Sequence, residues 1–180
     1  MTTTSRKASS VRTLTATALL LGLVACAAPR PEEAAVASLQ PTRGNTASGT
    51  VRFVQNGDTV KVTGEVKGLK PNAEHGFHVH EKGDCSSGDG MSTGGHYNPA
   101  GAGHGRHGHG RHHVGDLPAL VADAQGVAKV DFESTSISLL GNDHNIVGKG
   151  LIVHRDADDY NAQPAGNAGP RMACAVIEKR

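Results

Sequence analysis

Apolar and polar residues alternate along residues 50–54, 59–69 and 126–132. A period of two puts successive side chains on opposite faces, so these stretches are predicted to be half-buried strands. Asn56-Gly57-Asp58, between the first two, reads as a hairpin turn. Residues 76–80 form a further predicted strand, with His78 and His80 on one face and Phe77 and Val79 on the other. Residues 116–122, 146–154 and 172–177 complete the set. No stretch repeats its apolar positions with helical spacing over a useful length. Residues 81–112 and 155–170 lack a strand pattern and are dense in Gly, Asp, Asn and His. Loops of that length inside a compact domain are usually functional or disordered. The pattern therefore predicts an all-β antiparallel sandwich or barrel with two long working loops.

The first forty-odd residues read differently. Residues 1–12 are polar and basic, and residues 14–24 are an apolar run too short to span a membrane comfortably. The run ends in Leu23-Val24-Ala25-Cys26, which resembles the lipobox of bacterial lipoproteins. That resemblance implies a signal peptide over 1–25 and lipidation of Cys26, since several acyl chains anchor stably where one is marginal. Residues 27–44, rich in Ala and Pro, are expected to be a flexible tether, giving segments 1–25, 26–44 and a domain over 45–180. With Cys26 lipidated, Cys85 and Cys174 remain as a pair that an exported protein would oxidise.

Composition narrows the function. The chain's formal charge is +1, but residues 1–25 hold Arg6, Lys7, Arg12 and no acid, which leaves 1 − 3 = −2 for the rest. That balance gives no support to nucleic-acid binding. The outlier is histidine, with 11 residues unevenly spread. His78 and His80 share a strand face, so both rings can converge on one ion. His96, His104, His113 and Asp116 follow in the first long loop, and His154 ends an apolar strand.

At this point the chain resembles the copper/zinc superoxide dismutase family. The matching segments are HGFHVHE at 75–81, GGHYNP at 94–99, HHVGDLPAL at 112–120, LIVHRDADD at 151–159 and GNAGPRMACAV at 166–176. The resemblance implies a Greek-key antiparallel β-sandwich or barrel and an oxidoreductase that converts superoxide to oxygen and hydrogen peroxide. Its cofactors would be copper, held by His78, His80, His96 and His154, and zinc, held by His96, His104, His113 and Asp116. His96 would bridge the two ions and carry a proton to the product, and Arg171 would hold the anion beside copper. Asp158 would link a ligand of each metal by hydrogen bonds, while His75 and His144 would brace loops. The Cys26 signal points to a lipid-anchored form in the bacterial cell envelope, protecting it from extracytoplasmic superoxide. A homodimer is among the expected partners, with its interface unassigned.

The run from His104 to His112 departs from the family pattern. His107, His109 and His112 gather metal or form a solvated Gly/His loop; His107 is an alternative to His104, and His112 to His113. Position relative to Val114-Gly115-Asp116 favours His113. Lys82, Lys149 and Arg155 are candidates for steering superoxide through a net-negative body. The competing reading is an exported metal-buffering protein, which would need neither Arg171 nor a shared ring.

Overall fold

The computed structural model describes residues 1–4 and 33–180. The expected signal peptide and Cys26 lie outside the described residues, apart from the first four positions. Among the described residues are nine strands and one turn of 3-10 helix, Met91–Thr93. The strands are β1 Ala34–Pro41, β2 Ser48–Asn56, β3 Thr59–Lys67, β4 Glu74–His75, β5 Phe77–His80, β6 Leu120–Val121, β7 Ala128–Ser134, β8 Gly150–His154 and β9 Arg171–Lys179.

Seven of them form one antiparallel sheet in the order β5-β8-β9-β1-β2-β3-β7, and β4 pairs with β6. The connections from β3 to β5 and from β7 to β8 cross between opposite ends of the sheet, the Greek-key arrangement. The period-two pattern delivers the expected faces. Val51, Phe53, Val60, Val62, Phe77, Val79, Leu151, Val153 and Ile177 are fully buried in one cluster. Strands from both ends of the sheet order feed that cluster, so the sheet curls around a single core. The β2–β3 hairpin closes on the Asn56–Thr59 pair, with Gly57 at φ 59° in the turn.

Three sequence expectations need correction, the smallest being that of the stretch 146–154 only Gly150–His154 is strand and 146–149 is turn and loop. Residues 27–44 were expected to lie outside the fold, yet Ala34–Pro41 is strand β1, paired with β2 on one side and β9 on the other. Its inward side chains are Ala35, Ala37 and Leu39, small residues that give a weak strand signal. Residues 116–122 were expected to be a strand, but only Leu120–Val121 is one. The start of that stretch is committed elsewhere, because Asp116 is turned inward and buried.

The first long loop is stitched to the end strand β5. Tyr97 N–H donates to Val79 O (2.8 Å), Val79 N–H to Gly115 O (2.9 Å) and Gly115 N–H to Tyr97 O (2.9 Å). These bonds cover an edge that would otherwise present unpaired backbone groups. They also set His96 opposite His80 and Asp116 opposite His78. A disulfide from Cys85 to Cys174 ties the same loop to β9 across a sequence separation of 89.

Candidate metal centre

Alternation along β5 sends Phe77 and Val79 into the core and leaves His78 and His80 on the other face. Ile152 and His154 of β8 share that face, since His78 pairs with Ile152. The two long loops cover it, so every residue of β5 and β8 is buried. The result is four buried rings, His78, His80, His96 and His154, whose ligand atoms all lie within 4.8 Å of one another. A second group, His96, His104, His113 and Asp116, meets the same limit. Among the described residues no other group of three or more His, Cys, Asp or Glu does so.

Hydrogen bonds to the outer nitrogens fix what each ring presents inward. His80 donates from Nδ1 to Gly94 O (2.9 Å) and His154 from Nδ1 to Gly169 O (3.0 Å). A carbonyl can only accept, so in the neutral rings both Nε2 atoms carry lone pairs. Those two atoms face each other at 3.5 Å. His78 is held the other way round: Nε2 meets Asp158 Oδ2 at 2.8 Å, and its buried Nδ1 has no hydrogen-bond partner. Buried nitrogens with lone pairs and no donor between them are an arrangement a cation satisfies.

The second group is built around one oxygen. Asp116 Oδ1 lies 2.9 Å from His96 Nδ1, 3.0 Å from His104 Nδ1 and 3.2 Å from His113 Nδ1. Its other oxygen accepts from the backbone N–H of Gly105 (3.1 Å) and of His113 (3.0 Å). Three imidazoles and one carboxylate match the donor set of a closed tetrahedral zinc site. The all-imidazole group suits copper. With His96 Nδ1 turned to Asp116, Nε2 is the atom that ring offers to the first group.

Burial also sets the charge of these rings. Desolvation pushes His78 and His80 well below the ordinary histidine value, with neighbouring His96 adding repulsion. The same cause, helped by His78, takes His154 down to about 3. Burial works against the Asp116 carboxylate, yet hydrogen bonds from His104, His113 and His96 outweigh it and hold its pKa far down. His78, His80 and His154 are therefore neutral near pH 7, with their inward lone pairs free for metal.

This has a measurable consequence. In metal-free protein the unfolded chain takes up protons on these three histidines near pH 6.5, while the folded state does so only far lower. Where the unfolded state binds more protons, stability falls as pH falls, by up to about 1.4 kcal/mol per pH unit per ring. Chelator-treated protein should thus show a lower urea midpoint at pH 5 than at pH 7.5. An unchanged midpoint would contradict the burial of these rings as neutral groups.

Around the two groups stand residues that orient them. Asp158, its side chain 1% exposed, reaches His78 with one oxygen, and the other lies 3.8 Å from His104 Nε2. Gly166 adopts φ +72° above that pair, where an added Cβ would collide with His104 Nε2 and Asp158 Oδ1. Gln163 clamps the His104 backbone, accepting from its N–H (2.8 Å) and donating to its carbonyl (2.9 Å). His75 donates from Nδ1 to His154 O (2.9 Å), consistent with the bracing role expected of it.

Arg171 opens β9 next to His154, as their register pairing shows. Its guanidinium donates to Gly90 O, to Thr93 Oγ1 (2.8 Å) and to Gly94 O (2.7 Å). Thr93 is fully buried and donates its own hydroxyl to Gly90 O (2.8 Å). Gly90, at φ +78°, leaves room for the arginine stem, which a Cβ there would meet at 3.2 Å. Thr93, Gln163 and Gly166 were not singled out from the sequence. A lone Thr, Gln or Gly carries no periodic signal, and their partners lie tens of residues away.

Of the basic residues expected to steer an anion, Arg155 is paired with Asp156 (2.9 Å). Lys149 lies 4.5 Å from the Tyr97 ring centre and donates to Glu81 O (3.2 Å). His107 and His112, the alternative ligands, belong to neither group.

Comparisons with known proteins point to one family. The family model described as copper/zinc superoxide dismutase matches residues 47–177. The chain is 47% identical over 135 residues to a Cu-Zn superoxide dismutase of Paramecium bursaria Chlorella virus 1, covering 72% of this chain and 71% of the relative. It is 40% identical over 152 residues to an extracellular Cu-Zn superoxide dismutase of Brugia pahangi, covering 79% and 74% respectively. The crystal structure of the clock protein EA4 superposes with a TM-score of 0.75 at 40% identity, covering 82% of this chain and 94% of that one.

Proposed function

Because the chain belongs to the copper/zinc superoxide dismutase family, we propose that His78, His80, His96 and His154 hold its copper and that His96, His104, His113 and Asp116 hold its zinc. Family membership makes the protein an oxidoreductase acting on superoxide, with copper and zinc as cofactors. The observation that carries the ligand assignment is that His96 belongs to both groups, so one ring serves two ions. When bound, copper supplies the one-electron couple for the reaction and zinc a fixed positive charge on the shared ring.

The chain's own residues do the rest. Arg171 offers a permanent positive charge beside His154 and binds the superoxide anion with its guanidinium N–H groups. His96 would take a proton at the same Nε2 only when that nitrogen is not ligating copper, and would deliver it to the developing peroxide as a general acid, with Nδ1 kept toward Asp116. Asp158 fixes the His78 ring through Nε2 and so aims Nδ1 inward. Two superoxide anions and two protons give one oxygen and one hydrogen peroxide, which balances in atoms and charge. Purified protein should contain copper and zinc in equal amounts and dismutate superoxide. Protein that takes up only one of the two ions when both are supplied in excess would contradict the shared-ring assignment.

We also propose that the protein is exported as a lipoprotein, with a signal peptide over 1–25, lipid on Cys26 and a domain that begins with β1. The oxidised Cys85–Cys174 bridge supports an oxidising compartment, and one relative is itself named extracellular. In that setting it protects the bacterial envelope from superoxide arising outside the cytoplasm. Cys26→Ser is expected to move the protein from the membrane fraction to the soluble fraction. Unchanged retention on membranes would count against the anchor.

A further inference from the structure

The run His104-Gly105-Arg106-His107-Gly108-His109-Gly110-Arg111-His112 holds three histidines that the reaction does not use. Their chemistry suggests a third metal site, but none of them joins a group of potential ligands among the described residues. Their hydrogen bonds point elsewhere. His107 Nδ1 lies 2.8 Å from the backbone carbonyl oxygen of Asp116. His112 Nδ1 lies 2.7 Å from the backbone carbonyl oxygen of His113. Two extra histidines thus contact the main chain of two proposed zinc ligands.

We infer that His107 and His112 are positioning residues that hold the Asp116 and His113 backbone in place for zinc. The inference rests on the zinc assignment proposed above. A carbonyl only accepts, so Nδ1 of each ring must carry the proton. Each ring is also anchored at its far side. His107 packs edge-on against Phe132 of β7, with ring centres 5.9 Å apart, and against His112 at 5.3 Å. His112 Nε2 accepts from the Gly108 N–H (3.3 Å) and lies 3.4 Å from Ser136 Oγ, just beyond β7. The rings therefore link the zinc segment to the wall of the barrel. His109 is exposed and takes no part.

The arrangement matters because one atom carries the second group. Asp116 Oδ1 meets three ring nitrogens at 2.9–3.2 Å, so a small slide of the Asp116 backbone disturbs all of them together. Asp116 is buried, and without His107 its carbonyl loses the partner that a buried acceptor needs. Groups that hydrogen-bond a ligating side chain typically change metal affinity by about 10–100-fold when lost, and these two bonds hold the ligand residues through their backbone carbonyls.

The test uses holoprotein and reads zinc directly. Zinc affinity is measured by chelator competition, and the geometry of the site by the visible spectrum after cobalt replaces zinc. The double variant His107→Ala/His112→Ala is expected to bind zinc about 10–100-fold more weakly and to show an altered cobalt spectrum. Asparagine places a side-chain N–H near the position of Nδ1, whereas glutamine places it near Nε2. His107→Asn and His112→Asn should therefore recover most of the affinity, and the glutamine variants should not. These single asparagine and glutamine pairs also serve if the double alanine variant does not fold. Wild-type zinc affinity and cobalt spectrum in the alanine variant would overturn the inference, as would asparagine and glutamine behaving alike. Wild-type protein that takes no zinc at this group would instead overturn the zinc assignment, and the inference with it.

Discussion

Arg171→Ala is expected to lower kcat/KM for superoxide by about 10–100-fold while both metals stay bound, because hydrogen bonds to a charged group contribute about 1.5–3 kcal/mol and each 1.4 kcal/mol is a factor of ten. The guanidinium is not a solvated surface charge. Gly90 O, Thr93 Oγ1 and Gly94 O hold it from one side, which leaves its remaining N–H groups oriented before the anion arrives. Such preorganisation is what a reaction limited by capture of a small anion needs. No ligand nitrogen of the first group bonds to Arg171, which shares only the Gly94 carbonyl with His80 Nδ1, so copper content should not change. Arg171→Lys should recover only part of the rate, since an ammonium keeps the charge but not the planar fork. The rate of the alanine variant should also depend less on salt. Full activity across ionic strengths would end the anion-holding role.

The second large effect concerns the Cys85–Cys174 bridge. Replacing both cysteines by serine opens a loop with a sequence separation of 89. The chain-entropy treatment of such a loop gives about 4.6 kcal/mol of lost stability. Domains of ordinary stability have only about 5–15 kcal/mol in total. At about 2–4 °C per kcal/mol for a chain of this size, the melting temperature should fall by roughly 10–18 °C. Activity should fall as well. Cys85 begins the segment that carries Gly90, Thr93 and Gly94, and Cys174 lies on β9 three residues after Arg171. The bridge thus joins the arginine's strand to the loop that supplies its acceptors. Thermal unfolding of the metal-loaded variant checks the claim, and a melting temperature within a few degrees of wild type would refute it.

Sequence pattern reveals most of the barrel and hides certain parts for definite reasons. Strands β2, β3, β5 and β7 follow from period-two alternation, because most of their inward residues are large or β-branched. Strand β1 escapes because its inward residues are mainly alanine, which also fills linkers. It gains its place from two partner strands rather than from its own propensity. Residues 116–119 look like a strand but serve the second group, where burial of Asp116 decides the backbone path. The two histidine sets are legible because strand geometry and the family's ordered motifs name the same residues. What remains hidden is the scaffold around them. Thr93 reaches an arginine 78 positions away, and Gln163 reaches a backbone 59 positions away. The His107 and His112 rings show only a composition in the sequence, and only their Nδ1 contacts give them a role.

The central claim is that one ring, His96, serves two different ions. Anomalous diffraction from a crystal of the metal-loaded protein, recorded on both sides of the copper and zinc edges, tests it most directly. The expected result is a copper peak among His78, His80 and His154 and a zinc peak among His104, His113 and Asp116, with the His96 ring between them and contacting both. Two peaks with His96 bound to neither or to one alone, or zinc seated instead on His107 and His112, would contradict the account.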